Sequence, residues 1–176
     1  MPILLRRVAE EALPGQYIDV PRPIRVRRQQ FIKAGELERA VELAARQTAQ
    51  TDGILILLDA EADCPKELAE MVLRRAVAVR SDRRIRVVLP KRMYEAWFLA
   101  AAASIAGQRD LALSMIPPPD PEGVANPKAW LTDWMPERRS YRETLDQPAL
   151  TARFDLRAAC SSPSFRKLCR DLQSLL

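Results

Sequence analysis

The period of the apolar residues changes several times along the chain, and each change marks an element. From Ile3 to Ala12 they recur at helical spacing, and Pro14-Gly15 ends the run. Tyr17 to Val20 alternates like a short strand. Pro21 and Pro23 then hold the chain extended, as at a sheet edge. Glu36 to Ala49 predicts a helix with Leu37, Val41, Leu43 and Ala44 as its buried stripe. Gly53 to Leu58 is a continuous apolar run that ends in carboxylates, which suits a strand buried on both faces of a parallel sheet. Lys66 to Val79 is the next helix, with Leu68, Met71, Val72 and Ala76 facing inward. Arg84 to Leu89 is a second strand, closed by Pro90. Strand, helix and strand in that order predict a right-handed crossover between parallel neighbours.

Met93 to Ala106 is the most apolar helical stretch, and a rigid connector, Pro117 to Pro121, follows it. Pro127 to Trp134 reads as a short helix and Tyr141 to Leu145 as a helical turn. Ala149 to Ala159 and Ser164 to Leu176 read as two closing helices, with Phe154, Leu156, Phe165, Leu168 and Leu172 as their apolar positions. The pattern predicts an α/β fold in one domain: a mainly parallel sheet flanked by helices over 1–110, then a Pro-rich connector and helical extension over 111–176.

The chemistry concentrates where the first strand ends, in Asp59-Ala-Glu61-Ala-Asp63. Ligands of open α/β sheets collect outside the carboxyl ends of the strands. Carboxylates crowded there repel one another unless a cation lies between them, and hard divalent ions such as Mg²⁺ take oxygen ligands. A plainer reading has Asp59 ending the strand and Asp63 or Cys64 capping a helix that has Pro65 in its first turn. If the strands are parallel neighbours, Lys91, Arg92 and Glu95 emerge on the same edge as Asp59. Glu95 has a plainer reading too, as an acid in a first helical turn.

Several chemistries are excluded by what is missing. The chain has no histidine, so histidine-based triads, His-ligated zinc and His-held haem are out. Any hydrolysis must rest on carboxylates, lysine, tyrosine or an oxygen-held metal. Five glycines and no Gly-rich phosphate loop argue against a self-contained nucleotide-binding module. The acidic run lacks the later Gly and Glu of an EF-hand loop. Cys64, Cys160 and Cys169 are scattered without metal-binding or disulfide spacing, which points to reduced thiols.

The formal charge of +5 suits a polyanion such as nucleic acid. Arg22, Arg25, Arg27 and Arg28 form the densest basic patch, with no aromatic residue among them. It reads either as a phosphate-contact loop or as a solvated edge whose charges block strand addition. No apolar stretch reaches membrane-span length. In Met1-Pro-Ile-Leu-Leu-Arg-Arg the basic pair follows the apolar residues, opposite to a signal peptide. A cytoplasmic location is the expectation, with no membrane partner.

Five phrases occur in order: LLDAEADCPKELA, YEAWFLAA, NPKAWL, YRETLDQPALTA and SSPSFRKLCRDL. Together they resemble a bacterial family, domain-of-unknown-function family 4276, over nearly the whole chain. That family looks Toprim-like, the α/β fold of topoisomerases, primases and certain nucleases. The resemblance implies that Asp59 and Glu61 fill the positions of a metal-binding acid pair, with Asp63 adjacent and Mg²⁺ as cofactor. It also implies a possible ATPase partner in defence against phage. One departure stands out: the strand and Glu-Gly-x-x-Glu segment expected before the first helix are absent, and Glu10 and Glu11 do not match them. A misplaced start codon or a truncated copy is expected from this. Arg92, Glu95 and Trp97 border the implied site, while Asp146, Gln147 and Thr151 suit side-chain bonds that order the C-terminal helices.

The functional expectation is an Mg²⁺-dependent nuclease or phosphotransfer domain. Asp59, Glu61 and Glu95 would serve catalysis, and Asp59, Glu61 and Asp63 would hold the metal. The alternative is a non-catalytic binding module of an ATPase or nucleic-acid complex.

Overall fold

The computed structural model describes residues 1–49 and 52–176. Among them two strands form the sheet: β1 (Ile54–Leu57) and β2 (Ile85–Val88), parallel, with Ile54 opposite Ile85 and Leu57 opposite Val88. The crossover between them is α4 (Pro65–Val79), which begins where Pro65 supplies the fixed φ of a first helical turn. Before β1 come α1 (Pro2–Ala12), the short α2 (Arg28–Phe31) and α3 (Glu36–Gln47). After β2 come α5 (Ala96–Ala100), α6 (Ala102–Ile105), α7 (Pro127–Asp133), α8 (Glu143–Thr151), α9 (Leu156–Ala159) and α10 (Pro163–Gln173).

The strand alternation separates two hydrophobic layers. Ile54, Ile56, Ile85 and Val87 pack with Leu37 and Val41 of α3 and with Val72 and Ala76 of α4. Leu55, Leu57 and Val88 turn to the other side, against a larger cluster that draws on α1, α5 and every helix from α7 to α10. At its centre Phe98, Phe154 and Phe165 meet edge to face, with ring centroids 5.4 and 5.8 Å apart. The helical extension is therefore packed into the same core as α1 and the sheet.

Several sequence expectations change in the structure. Tyr17 to Val20 forms no strand among the described residues, and Tyr17 is 79% exposed. In α3 the buried stripe is Leu37, Val41 and Ala45, and Leu43 faces solvent. The long helix expected over Met93–Ala106 opens as a turn and breaks at Ala101. There the amide is shared between Trp97 and Phe98 carbonyls, and the backbone leaves helical angles. The Tyr141 to Leu145 turn belongs to the entry of α8, which runs on to Thr151. The expected Ala149–Ala159 helix is divided, because Asp155 accepts the Arg157 and Ala158 amides and starts α9 anew.

Candidate active site

Past the ends of the strands the two chains stay side by side. The Leu58, Ala60 and Glu61 amides donate to the Val88, Pro90 and Arg92 carbonyls, at 3.3, 3.0 and 2.9 Å. This pairing carries Asp59 to the start of the segment that enters α5. Asp59 Oδ1 accepts the Tyr94 amide at 2.9 Å. The next residue, Glu95, is wholly buried. Its Oε1 accepts both the Tyr141 hydroxyl, at 2.9 Å, and the Gln147 side-chain amide, at 3.0 Å. Its Oε2 is buried and has no hydrogen-bond partner among the described residues. Lys128, from the first turn of α7, and Glu143, from the first turn of α8, form an ion pair at 2.5 Å; both side chains are partly exposed, at 37% and 57%.

The electrostatics follow from this geometry. Burial, and then the negative charge of Glu95, push the Asp59 carboxyl up to about 6, against the pull of the Tyr94 amide. Burial opposes the Lys128 charge. The Glu143 hydrogen bond and the carboxylates of Glu95, Glu143 and Asp59 outweigh it, so the ammonium is held above its usual value. Burial and the neighbouring Glu95 hold the Tyr141 phenol well above its ordinary range, so it stays a hydrogen-bond donor. Asp59, Glu95 and Glu143 thus share one electrostatic environment with Lys128, which is ion-paired to Glu143.

Glu61 and Asp63 are placed differently. Both engage Arg28, Glu61 at 3.3 Å and Asp63 more closely, and the same guanidinium donates to the Asp59 and Ala60 carbonyls at 3.0 and 3.3 Å. Glu61 has a φ of 52°, in the left-handed region. The structure brings Asp59 and Glu95 within electrostatic reach, and gathers Glu61 and Asp63 on Arg28. Among the described residues no group of three or more Asp, Glu, Cys or His is arranged to hold a metal ion. The expected set of Asp59, Glu61 and Asp63 therefore does not fit a cation as a unit. Asp59 and Glu95 offer two carboxylates in one electrostatic environment, and one or two carboxylates are the protein ligands by which Mg²⁺ is commonly held, with water and substrate phosphate completing its shell.

Other expected residues lie nearby in other roles. Cys64 is the exposed residue that precedes α4. Arg92 donates to the Glu61 carbonyl at 3.3 Å. Trp97 is buried and donates its indole N–H to Ser164 at 2.8 Å. Asp146 does order α8, accepting the Arg142 amide at 2.7 Å, while Thr151 pairs with the Tyr94 hydroxyl at 2.8 Å. Gln147 serves Glu95 instead. Lys128, Tyr141 and Glu143 escaped the reading of the sequence as site residues. Yet Lys128 lies in the phrase NPKAWL, and Tyr141, Glu143 and Gln147 lie in YRETLDQPALTA.

This α/β frame with an acidic rim defines the class as far as the geometry carries it. The chain belongs to the family described as Domain of unknown function (DUF4276), whose model matches residues 3–173. No curated protein and no solved structure matches it. No helix among the described residues is long and apolar enough to cross a membrane.

Proposed function

We propose that this protein is a cytoplasmic, Toprim-like, Mg²⁺-dependent nuclease or phosphotransfer domain acting on nucleic acid, with Asp59 and Glu95 as its central acids. The observation that carries this reading is Glu95 Oε2, buried and without a partner beside a second carboxylate whose proton affinity is raised. A bound Mg²⁺ would polarise a phosphoryl oxygen and lower the pKa of water. Tyr141 and Gln147 both hold Glu95 Oε1 and leave Oε2 buried, with no hydrogen-bond partner among the described residues. Lys128 offers a positive charge at the solvent side, suited to a phosphate oxygen. The test is cleavage of end-labelled single- and double-stranded DNA and RNA with Mg²⁺ or Mn²⁺. Asp59→Asn and Glu95→Gln are expected to abolish it while circular dichroism stays unchanged. Cleavage equal to wild type in both variants would remove these acids from the mechanism.

A second reading is favoured by Arg28, whose guanidinium already neutralises Glu61 and Asp63. On that reading the domain is a non-catalytic binding module beside an ATPase partner in phage defence, the partner class that the family resemblance implies. Co-purification with a neighbouring ATPase, with no cleavage in any divalent ion, is its expected signature.

A further inference from the structure

We propose that residues 17–28 form a track for the backbone of single-stranded nucleic acid, leading to the Asp59 loop. The segment carries no helix or strand over 17–27, Pro21 and Pro23 restrict its backbone, and its burial alternates. Ile18, Val20, Ile24 and Val26 are half-buried, while Tyr17, Arg25 and Arg27 face solvent. Ile18 rests on the larger hydrophobic cluster and Val26 on the smaller, so the track is anchored by its inner face. Arg22, Arg25 and Arg27 are exposed, and their side chains make no ion pair or hydrogen bond among the described residues, unlike those of most arginines of this chain. Arg22, Pro23 and Arg25 border a hollow of about 390 Å³. The track ends at Arg28, which grips the Asp59 carbonyl, so its exit lies at the acidic loop.

Guanidinium groups spaced along a proline-restricted backbone suit a polymer with a phosphate at each unit. Prolines and a polyproline-like Arg27 lower the cost of ordering the segment on binding. Tyr17, 79% exposed at the far end, offers a flat face for one base. A duplex gives no such face, which favours a single strand. The inward turn of the aliphatic residues leaves little apolar surface for a lipid bilayer. The inference takes its direction from the nucleic-acid reading of the Asp59–Glu95 site, but its test runs without metal or turnover.

Fluorescence anisotropy of labelled oligo(dT), titrated with the full chain in EDTA at several salt concentrations, reads the track directly. The triple variant Arg22→Ala, Arg25→Ala, Arg27→Ala is expected to bind about tenfold or more weakly, with a salt slope reduced by about 2. Tyr17→Ala is expected to bind at least about fivefold more weakly, as loss of one stacked base predicts. A charge-matched control, Arg74→Ala, Arg153→Ala, Arg157→Ala, removes exposed arginines elsewhere and should change affinity less than about twofold. Equal losses in both triple variants, no binding by wild type, or binding only to phosphatidylserine vesicles would overturn the proposal. The binding titration in EDTA holds no divalent ion and so reads no cleavage. Loss of cleavage with retained binding therefore bears on the acidic site alone, and loss of binding in the arginine triple bears on the track alone.

Discussion

Tyr141 donates its hydroxyl to Glu95 Oε1 across 2.9 Å, linking the coil before α8 to the segment that enters α5. Both partners are buried. A hydrogen bond to a buried charged group contributes more than one between neutral groups, and leaving such a group unsatisfied costs about 1–3 kcal/mol. Tyr141→Phe keeps the ring and removes only the donor. Thermal unfolding is expected to show a destabilisation of that size, while Gln147 still holds Oε1. In the proposed cation site the same variant loosens Glu95 and is expected to weaken Mg²⁺ binding in calorimetric titration. An unchanged melting temperature would show that the hydroxyl contributes nothing to holding the acid.

Asp59 carries an opposite lesson about stability. Burial and the neighbouring Glu95 charge push its folded carboxyl up to about 6, above the ordinary 3.8. Between these values the folded state binds more protons than the unfolded one, so stability falls as pH rises through the window and levels off above it. Asp59→Asn retains an oxygen for the Tyr94 amide and removes the charge. It is expected to stabilise the fold at neutral pH, by about 1–3 kcal/mol, and to flatten that part of the pH–stability curve. Denaturant titration at pH 4.5, 6 and 7.5, comparing the two proteins, reads this directly. In the proposed enzyme, protons compete with the cation at Asp59, so activity should decline as pH falls below about 6.

Glu61 holds a left-handed backbone conformation while its side chain, 53% exposed, reaches Arg28 at 3.3 Å. An exposed ion pair of that kind contributes little, whereas a non-glycine residue in that conformation costs about 1–2 kcal/mol. Glu61→Gly is therefore expected to leave stability unchanged or raise it by up to about 1 kcal/mol, and Glu61→Ala to gain nothing. Chemical denaturation of both variants checks the ordering. A large loss in Glu61→Gly would mean that the Arg28 pair matters far more than its exposure implies.

The position of Asp59 was legible because a buried strand has a plain signature, an unbroken apolar run from Ile54 closed by an acid. Glu95 was legible through the order strand, helix, strand, which makes the two strand ends neighbours once β1 and β2 pair in parallel. Arg28's hold on Glu61 and Asp63 was not legible, since it depends on a segment that lies 35 residues upstream of Asp63 in sequence. The backbone turn at Glu61 hid it further, because alternate acids in a row read as one cluster until φ at one position becomes positive. Tyr141 and Gln147 reach Glu95 only because the C-terminal helices share a core with α1 and α5. A pattern read within each segment could place those helices but not dock them. The break at Ala101 escaped for the same reason: alanine favours helix everywhere, and tertiary packing decided otherwise.

Asp146 is wholly buried and is the fixed point of α8. Its Oδ1 accepts from Arg109 at 3.0 Å and Arg139 at 2.6 Å, and its Oδ2 accepts the Arg142 amide at 2.7 Å. Burial alone would raise its proton affinity, but the bonds from Arg139, the Arg142 amide and Arg109 outweigh that and hold the carboxyl below its ordinary value. The sign is the reverse of that for Asp59. The stabilisation from Asp146 is present above the ordinary carboxylate range and is lost as pH falls through the depressed folded value. Asp146→Ala leaves Arg139 and the α8 entry without their partner and is expected to cost about 3–5 kcal/mol. Asp146→Asn keeps an acceptor for the Arg142 amide and should cost less. Because Glu143 and Gln147 ride on the same helix, the loss should spread to the Glu95 site. Hydrogen exchange at the α8 amides is expected to accelerate in both variants, more in Asp146→Ala. Unchanged protection in Asp146→Ala would mean that core packing by Leu150, and not this buried ion cluster, sets the helix that carries Gln147 to Glu95.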